Sequence, residues 1–545
     1  MIPDLFLQPL MKVKGYRDLA AAIDRSKGKP AAAFGLSEGA KTVVTGALST
    51  GRRTLVVTPS EQSALRMAED LTRIGVPALY FPARDMTLYH MAAESRELIQ
   101  RRIAVLGRLL RGEAQVVAAP VEALLTPLMP RQDFAAALLR IEPGDELDLD
   151  RIARLLTDMG YERQNLVEGR GQFAVRGGIL DVYPVQALTA YRVELFGDEV
   201  DSVRELDVMT QRSAPVDDPC EVYPATEAVA GLAQMQRAAA LLAAELSGLA
   251  SRPAPAKKPD EPDLPWLTAE EDDGAVVQRA DTSGRRQEII DSLHLGHRTE
   301  ALENFIPYLY ENTAYFSDYF DPELVVLDEY ARVKERAQNM GLEFAARLES
   351  ALERGEGFPG QQRLMEGWES IPRMLEKRRC VILGMLQVGL ADVRLSALCT
   401  IESRQTPDLQ GQNALLIEQL ELYRGKGLSV AMLSGGHARG ERLAETLRER
   451  GLSVTFTEEP VTLAHGQMAV LPIGLTRGFE LPEAGFAVLG DQDLFGTTRQ
   501  RAARRRHKAG QKIQAFTDLK VGDYVVHESH GIGVYTGTVR MTMEG

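Results

Sequence analysis

Residues 171–203 read GQFAVRGGILDVYPVQALTAYRVELFGDEVDSV, and their alternating apolar and polar side chains predict short antiparallel strands. The predicted strands are Ile179–Tyr183, Tyr191–Phe196 and Glu199–Val203. Gly197-Asp198 is predicted to form the turn that joins the last two strands. An earlier extended run holds Phe173 and Val175 on one side and Ala174 and Arg176 on the other. Gly177-Gly178 interrupts this alternation, as is typical of a bulge or of another backbone coming close.

A helix predicted over Arg151–Met159 precedes these strands, with apolar residues at the spacing of one helical face. Gly160 follows it and is suited to end a helix. Residues 131–213 are therefore predicted to form a small α+β domain.

Arginines in this domain lie on or beside rigid strands, at Arg163, Arg176 and Arg192. A guanidinium group held on a sheet is preorganised to bind a carboxylate on another surface, because less side-chain freedom is lost on binding. The alternative is that these arginines are only solvated side chains, since exposed arginine is common.

The composition restricts the classes of function. The chain has 545 residues with 63 basic and 77 acidic side chains, which gives a net charge of −14. Such an acidic chain is a poor candidate for general nucleic-acid binding, which depends on neutralising phosphates. Three scattered cysteines indicate neither a disulfide framework nor a zinc site. No apolar run approaches the roughly 20 residues of a membrane helix, and no signal peptide is recognised, so we predict a cytoplasmic protein.

Alternating strands and helices predict two parallel-sheet modules on either side of the small domain. The segments that we assign are 1–130 and 214–398 for the halves of a first α/β module, 252–265 for a flexible insertion, 400–495 for a second small α/β domain, 496–515 for a basic linker and 516–545 for the start of a further domain. The last segment alternates around paired glycines like the first strands of a small SH3- or Tudor-like β-barrel. The fold class is thus multidomain α/β.

A degenerate phosphate-binding loop is predicted after the first strand, where residues 35–42 read GLSEGAKT. The pattern approaches G-x-x-x-x-G-K-[ST], in which backbone amides, a lysine and a hydroxyl hold nucleotide phosphates. Gly35, Lys41 and Thr42 match it, but Ala40 replaces the second glycine and Glu38 adds a negative charge. We find no acidic D-E-x-H or D-E-A-D run at a strand end to hold magnesium. The loop is therefore interpreted as structural.

The segment GYERQN…GQFAVRGGILDVYP…YRVELFGDEVDSVRELDVMTQRS resembles bacterial transcription-repair coupling factors and, less closely, the excinuclease component UvrB. The order of segments agrees along the chain, and VGDYVVHESHGIGVYTG near its end resembles the start of the family's RNA-polymerase-interaction domain. The resemblance implies a DNA-repair translocase that binds stalled RNA polymerase and recruits the excinuclease component UvrA. The family's ATP-dependent motor, which needs ATP and Mg²⁺ and binds double-stranded DNA, is expected beyond Gly545, so the chain is expected to be truncated.

The resemblance also implies residue roles. Arg163, Arg176 and Arg192, with Phe173, are expected to bind the excinuclease component UvrA. The residues expected to pair with a strand of the RNA polymerase β chain are Val526, Glu528, Ile532 and Val534. No catalytic residue, metal ligand or cofactor is expected in this chain, which should be a monomer that does not bind membranes. Two alternatives stay open: a nucleotide hydrolase or helicase that works through Lys41, and a transcription regulator that only binds polymerase.

Overall fold

A computed structural model describes residues 2–84, 86, 96–250, 282–299, 301–409, 411–460, 462–496, 524–527 and 531–534. The chain divides into two units, Met1–Gly496 and Thr497–Gly545. The predicted insertion at 252–265 and the predicted linker after Gly496 lie outside the described residues.

The first unit begins with α/β structure, as the alternation of strands and helices predicted. Its elements are α1 (Asp4–Lys12), α2 (Lys14–Ala22), β1 (Ala31–Phe34), α3 (Glu38–Leu48), β2 (Thr54–Thr58), α4 (Glu61–Arg73), β3 (Ala78–Tyr80), α5 (Arg96–Leu110), β4 (Val116–Pro120), α6 (Val121–Leu125) and α7 (Arg131–Ala136). The strands are short and almost entirely apolar because helices cover both faces of the sheet.

The small domain follows, and it extends beyond the predicted end at residue 213. Its elements are β5 (Leu139–Ile141), α8 (Leu149–Asp158), β6 (Glu162–Arg163), β7 (Gln172–Arg176), β8 (Ile179–Tyr183), β9 (Ala190–Phe196), β10 (Glu199–Asp207), β11 (Arg212–Pro215) and β12 (Cys220–Val222). Six strands form a sheet in the order β11-β10-β9-β8-β7-β6, and β12 pairs with β5 at the base. Gly177-Gly178 is a tight turn between β7 and β8, because Arg176 pairs directly with Ile179. The predicted bulge is therefore wrong, whereas the alternative of a close backbone holds at Gly178, where an added Cβ would lie 3.0 Å from the Leu195 carbonyl oxygen.

The chain then returns to the first sheet. The returning elements are α9 (Leu232–Ala250), α10 (Thr282–His294), α11 (Ile306–Leu309), α12 (Phe316–Tyr319), β13 (Leu324–Asp328), α13 (Tyr330–Glu353), α14 (Ser370–Leu375), β14 (Arg379–Leu383) and β15 (Ala397–Thr400). They complete a seven-stranded sheet in the order β15-β1-β14-β13-β2-β4-β3. All its pairings are parallel. The small domain is an insertion in this module, because the strands before and after it, β4 and β13, both pair with β2.

A second α/β domain packs directly against this first module. Its elements are β16 (Arg404–Gln405), α15 (Asn413–Gly425), β17 (Ser429–Leu433), α16 (His437–Glu449), β18 (Val454–Phe456), β19 (Met468–Leu471), β20 (Phe479–Leu481), β21 (Phe486–Leu489) and α17 (Asp491–Phe495). The sheet order is β16-β20-β21-β17-β19-β18. One hydrophobic core contains Ala33 and Leu36 of the first module together with Leu433 and Phe479 of the second domain. The two are therefore joined by shared apolar packing.

Asp70 on α4 lies in this joint and gives it a pH dependence. Its carboxylate is 3% exposed and accepts hydrogen bonds from the Thr476 amide at 3.0 Å and the Thr476 hydroxyl at 2.7 Å. Burial raises the pKa of Asp70 from 3.8 to about 6, despite the opposing effect of these bonds and of Arg73. The folded chain then holds this proton more tightly than the unfolded chain, so stability falls as the pH rises through this range.

Between pH 5 and pH 7, we expect the free energy of unfolding of the parent chain to fall by about 1 kcal/mol more than that of the Asp70→Asn variant. Urea unfolding followed by circular dichroism at several pH values measures this difference. Parallel stability curves for the two proteins would contradict the expected titration.

Of the second unit, two strands are described, β22 (Tyr524–His527) and β23 (Gly531–Val534). They pair antiparallel, with Val526 opposite Ile532 and Tyr524 opposite Val534. Among the described residues, none of the helices is both long and apolar enough to cross a membrane.

Candidate docking surface and the loop at Lys41

The arginine cluster of the small domain is built around Asp181. The strand register places Ala174, Asp181 and Arg192 side by side across β7, β8 and β9, on one face of the sheet. Arg192 binds Asp181 with two parallel bonds, Nε to Oδ1 at 2.7 Å and Nη2 to Oδ2 at 2.9 Å. Arg176 donates to the same Oδ2 atom. A fully buried carboxylate thus holds two guanidinium groups in place.

The two arginines differ in how much of them a partner can reach. The Arg176 side chain is 44% exposed, whereas that of Arg192 is 14% exposed. The hydrogen bond to Asp181 raises the pKa of Arg192, and the Arg192 guanidinium also donates to the Gln211 carbonyl. Arg192 is therefore mainly a positioning residue, while Arg176 presents its charge to the solvent.

Arg163 and Phe173 do not lie on the same face of the sheet as Arg176 and Arg192, although all four were predicted to bind one partner. They are opposite each other in the parallel pairing of β6 with β7, so both belong to the other side of the sheet from Arg176. Arg163 is exposed at the sheet edge, but Phe173 is fully buried in a core with Leu156 and Leu180. The prediction that Phe173 offers a contact surface is wrong in this conformation. Its place in the core supports the strand from within.

Two residues that the sequence analysis missed lie on the same face of the sheet as the arginines. Asp181 organises the arginines, and Phe196 is 86% exposed at the end of β9. Alternation along β9 places Phe196 on the same face as Arg192, two residues beyond Glu194, which pairs with Ile179. Phe196 could have been recognised from the sequence, because it is an aromatic residue directly before the Gly197-Asp198 turn, where a solvated hairpin needs no large apolar side chain.

The Lys41 side chain forms ion pairs with two carboxylates of the same chain. Lys41 Nζ lies 2.6 Å from Asp328 Oδ1 and 2.9 Å from Glu329 Oε1, and all three side chains are largely buried. Burial alone would lower the pKa of Lys41, but the two carboxylates outweigh it and raise that pKa. Asp328 ends strand β13 and Glu329 follows it. The acidic pair Asp328-Glu329 therefore stands at a strand end, although residues 328–331 (DEYA) are neither a D-E-x-H nor a D-E-A-D run.

Three backbone amides at the start of the loop, which in a nucleotide site would be near the phosphates, already have partners. The Gly35 amide donates to the Met385 carbonyl, the Leu36 amide to the Gly384 carbonyl, and the Ser37 amide to Ser403 Oγ at 2.7 Å. At Gly39, an added Cβ would lie 2.1 Å from the Arg477 carbonyl oxygen, so the second α/β domain lies against the loop. Thr42 Oγ1 is 3.5 Å from the Glu38 carbonyl of its own helix.

The residues predicted to bind polymerase fall in the second unit. Val526, Ile532 and Val534 lie on the antiparallel pair β22–β23, and Glu528 lies outside the described residues. Among the described residues, no group of three or more His, Cys, Asp or Glu side chains is placed to hold a metal ion.

Comparison with protein families gives two matches. Residues 139–227 match the model of the UvrB interaction domain, and residues 519–545 match that of the CarD-like/TRCF RID domain. The first match covers the small sheet domain with its base strands β5 and β12, and the second includes the β22–β23 pair.

Comparison with curated proteins finds transcription-repair-coupling factors. The protein from Bacillus subtilis (strain 168) is 28% identical over 94% of this chain and 42% of its own length. That from Staphylococcus aureus (strain MRSA252) is 25% identical over 92% of this chain and 41% of its own length. The chain thus spans about two fifths of the length of these relatives. It is a homologue of the transcription-repair-coupling factors, and its two matched domains agree with the N-terminal part of that family.

Proposed function

We propose that this chain is the recruitment portion of a transcription-repair-coupling factor, in which the small sheet domain docks the excinuclease component UvrA. The observation that carries the proposal is the Asp181-centred arginine pair, with the exposed Phe196 on the same face of the sheet, within the segment that matches the UvrB interaction domain. We call the face formed by Arg176, Arg192 and Phe196 the docking corner.

The chemistry of the docking corner indicates the kind of partner surface that fits it. An exposed guanidinium whose position is fixed by a buried carboxylate favours a partner carboxylate in a bidentate geometry. An exposed aromatic ring on the same face of the sheet favours an apolar pocket, and aromatic residues and arginine are enriched in the cores of protein interfaces. The partner surface should therefore present one or more acidic side chains around an apolar depression.

Replacing Phe196 by alanine is expected to weaken binding of purified UvrA by about 2 kcal/mol, or roughly 30-fold, without changing the stability of the chain. The fold should not respond because the ring is 86% exposed. Titration calorimetry or biolayer interferometry gives the affinity, and the thermal midpoint gives the stability.

A matched control is Met209→Ala. Met209 is also a large apolar side chain, 88% exposed, but it follows the end of β10 away from the Phe196 turn. Affinity should stay unchanged in this variant. Equal losses for Phe196→Ala and Met209→Ala would place the contact elsewhere on the sheet.

For the second unit we propose docking to the β subunit of RNA polymerase, supported by the match of residues 519–545 to the CarD-like/TRCF RID domain. A strand from the polymerase could extend the β22–β23 pair, with backbone hydrogen bonds supplying affinity. A longer chain of this family would carry the ATP-driven motor that moves along DNA. The present chain would then contribute recognition of partners and leave translocation to the motor.

A further inference from the structure

In the second α/β domain, a side chain of the first module occupies the carboxyl-end edge of the sheet. Ligands ordinarily bind at this edge in α/β proteins. Strands β17, β19 and β21 are parallel neighbours, and the loops that leave their carboxyl ends begin at Ser434, Pro472 and Gly490. In open parallel sheets the crevice outside these ends is the usual ligand site. The loop after β17 reads Ser434-Gly435-Gly436-His437, a sequence suited to close approach by a ligand.

Arg73, from helix α4 of the first module, occupies this crevice. Its Nη2 atom lies 2.6 Å from Asp491 Oδ2, directly after β21. A Cβ added at Gly474 would lie 2.2 Å from Arg73 Nη2, and one added at Gly435 would lie 3.0 Å from the same atom. Only glycine at position 474 leaves room for the guanidinium plane.

A second charge on the same helix strengthens this contact. Asp70, one turn before Arg73, accepts hydrogen bonds from the Thr476 amide and the Thr476 hydroxyl. Arg73 Nη1 lies 3.3 Å from Asp70 Oδ1. Asp491 Oδ1 is buried with no hydrogen-bond partner among the described residues. The crevice therefore has unused acceptor capacity suited to a cationic donor with several N–H groups.

We propose that the carboxyl-end crevice of the 400–495 domain is a guanidinium site that Arg73 occupies in cis, and that this occupancy clasps the domain to the first module. The contact is reciprocal, because Ser403 and the Arg477 carbonyl cover the Lys41 loop at the carboxyl end of the first sheet. Each domain thus covers part of the carboxyl-end edge of the other domain's sheet, which is where small molecules bind in other α/β proteins.

Chemical rescue tests this proposal. In Arg73→Ala the crevice should be empty, and roughly 10–20 mM methylguanidinium should raise the thermal midpoint of the variant while leaving that of the parent chain unchanged. Methylammonium at the same concentration is the control cation, since it has the charge but not the planar fork. Arg73→Ala combined with Asp491→Asn should show no rescue.

Hydrogen exchange supplies a readout that does not depend on a ligand. The Thr476 amide donates to Asp70, so loss of Arg73 should speed its exchange by about tenfold or more, equivalent to about 1.4 kcal/mol. Exchange in the docking sheet should not change. Absence of methylguanidinium rescue together with unchanged protection at Thr476 would overturn the proposal, and either expected response with its controls would support it.

Discussion

Arg176→Ala is expected to weaken binding of UvrA by about 10- to 100-fold while leaving the small domain folded. The reason lies in the geometry at Asp181. When Arg176 is removed, Asp181 keeps both hydrogen bonds from Arg192, so no buried carboxylate is left unpaired. The guanidinium that is lost belongs to the side chain that is 44% exposed and can meet a partner carboxylate.

Arg192→Ala should behave differently and thereby separate docking from folding. Its guanidinium supplies two of the three hydrogen bonds that the fully buried Asp181 carboxylate accepts from arginines, including the one to Oδ1, so its loss should lower the free energy of unfolding by about 2–3 kcal/mol. Arg154→Ala is the matched control, because Arg154 is exposed on helix α8, which packs on the Phe173 side of the sheet. Affinity and thermal midpoint should be measured on all three variants. Unchanged affinity in Arg176→Ala would remove Arg176 from the docking corner.

Lys41→Met is expected to destabilise the first unit by about 3–5 kcal/mol, because it leaves Asp328 and Glu329 buried without a cation. The shift in urea midpoint measures the effect. Adding Asp328→Asn and Glu329→Gln to the same variant should restore most of the stability, since the uncompensated charges are then gone. Arg66→Ala, which breaks a more exposed ion pair with Glu38, should cost at most about 1 kcal/mol.

The same proteins test the alternative in which Lys41 serves a nucleotide hydrolase. The loop amides bonded to Met385, Gly384 and Ser403, and the neutralised lysine, lead us to expect no saturable binding in an ATP–Mg²⁺ titration of the parent chain. Saturable, magnesium-dependent binding that disappears when Lys41 is replaced would contradict that expectation and support the hydrolase alternative.

Local pattern predicted the strands and helices of both α/β modules because their residues signal structure within a few positions. Strand β8 was predicted at its observed bounds, Ile179–Tyr183, from alternation ended by a proline. The same alternation already separated Phe173 from Arg176, so the placement of Phe173 on the docking surface ignored a signal in the sequence. That placement came from the family resemblance rather than from the strand pattern.

Other features depend on contacts between residues far apart in the chain. Asp328 meets Lys41 across 287 positions, and the run of apolar residues before it, LVVL, marks a buried strand whose acidic end could have been recognised. Nothing local to Arg73 indicates that it enters the crevice of another domain. Register across the edge strand β6 decided the side on which Arg163 lies, and a two-residue strand carries too little pattern to fix its register.

The base of the small domain has a mechanical consequence. Strands β5 and β12 pair along Leu139–Ile141 and Cys220–Val222, so the outgoing and returning chains form a two-stranded stalk. The Tyr161 hydroxyl donates to the Tyr223 carbonyl at 2.7 Å, which ties the sheet domain to the foot of that stalk. A load applied by a bound partner would therefore be shared by two hydrogen-bonded strands. It would also pass through the hydrophobic core, which contains Phe173 and Leu180 of the small domain together with Leu55 and Val117 of the seven-stranded sheet.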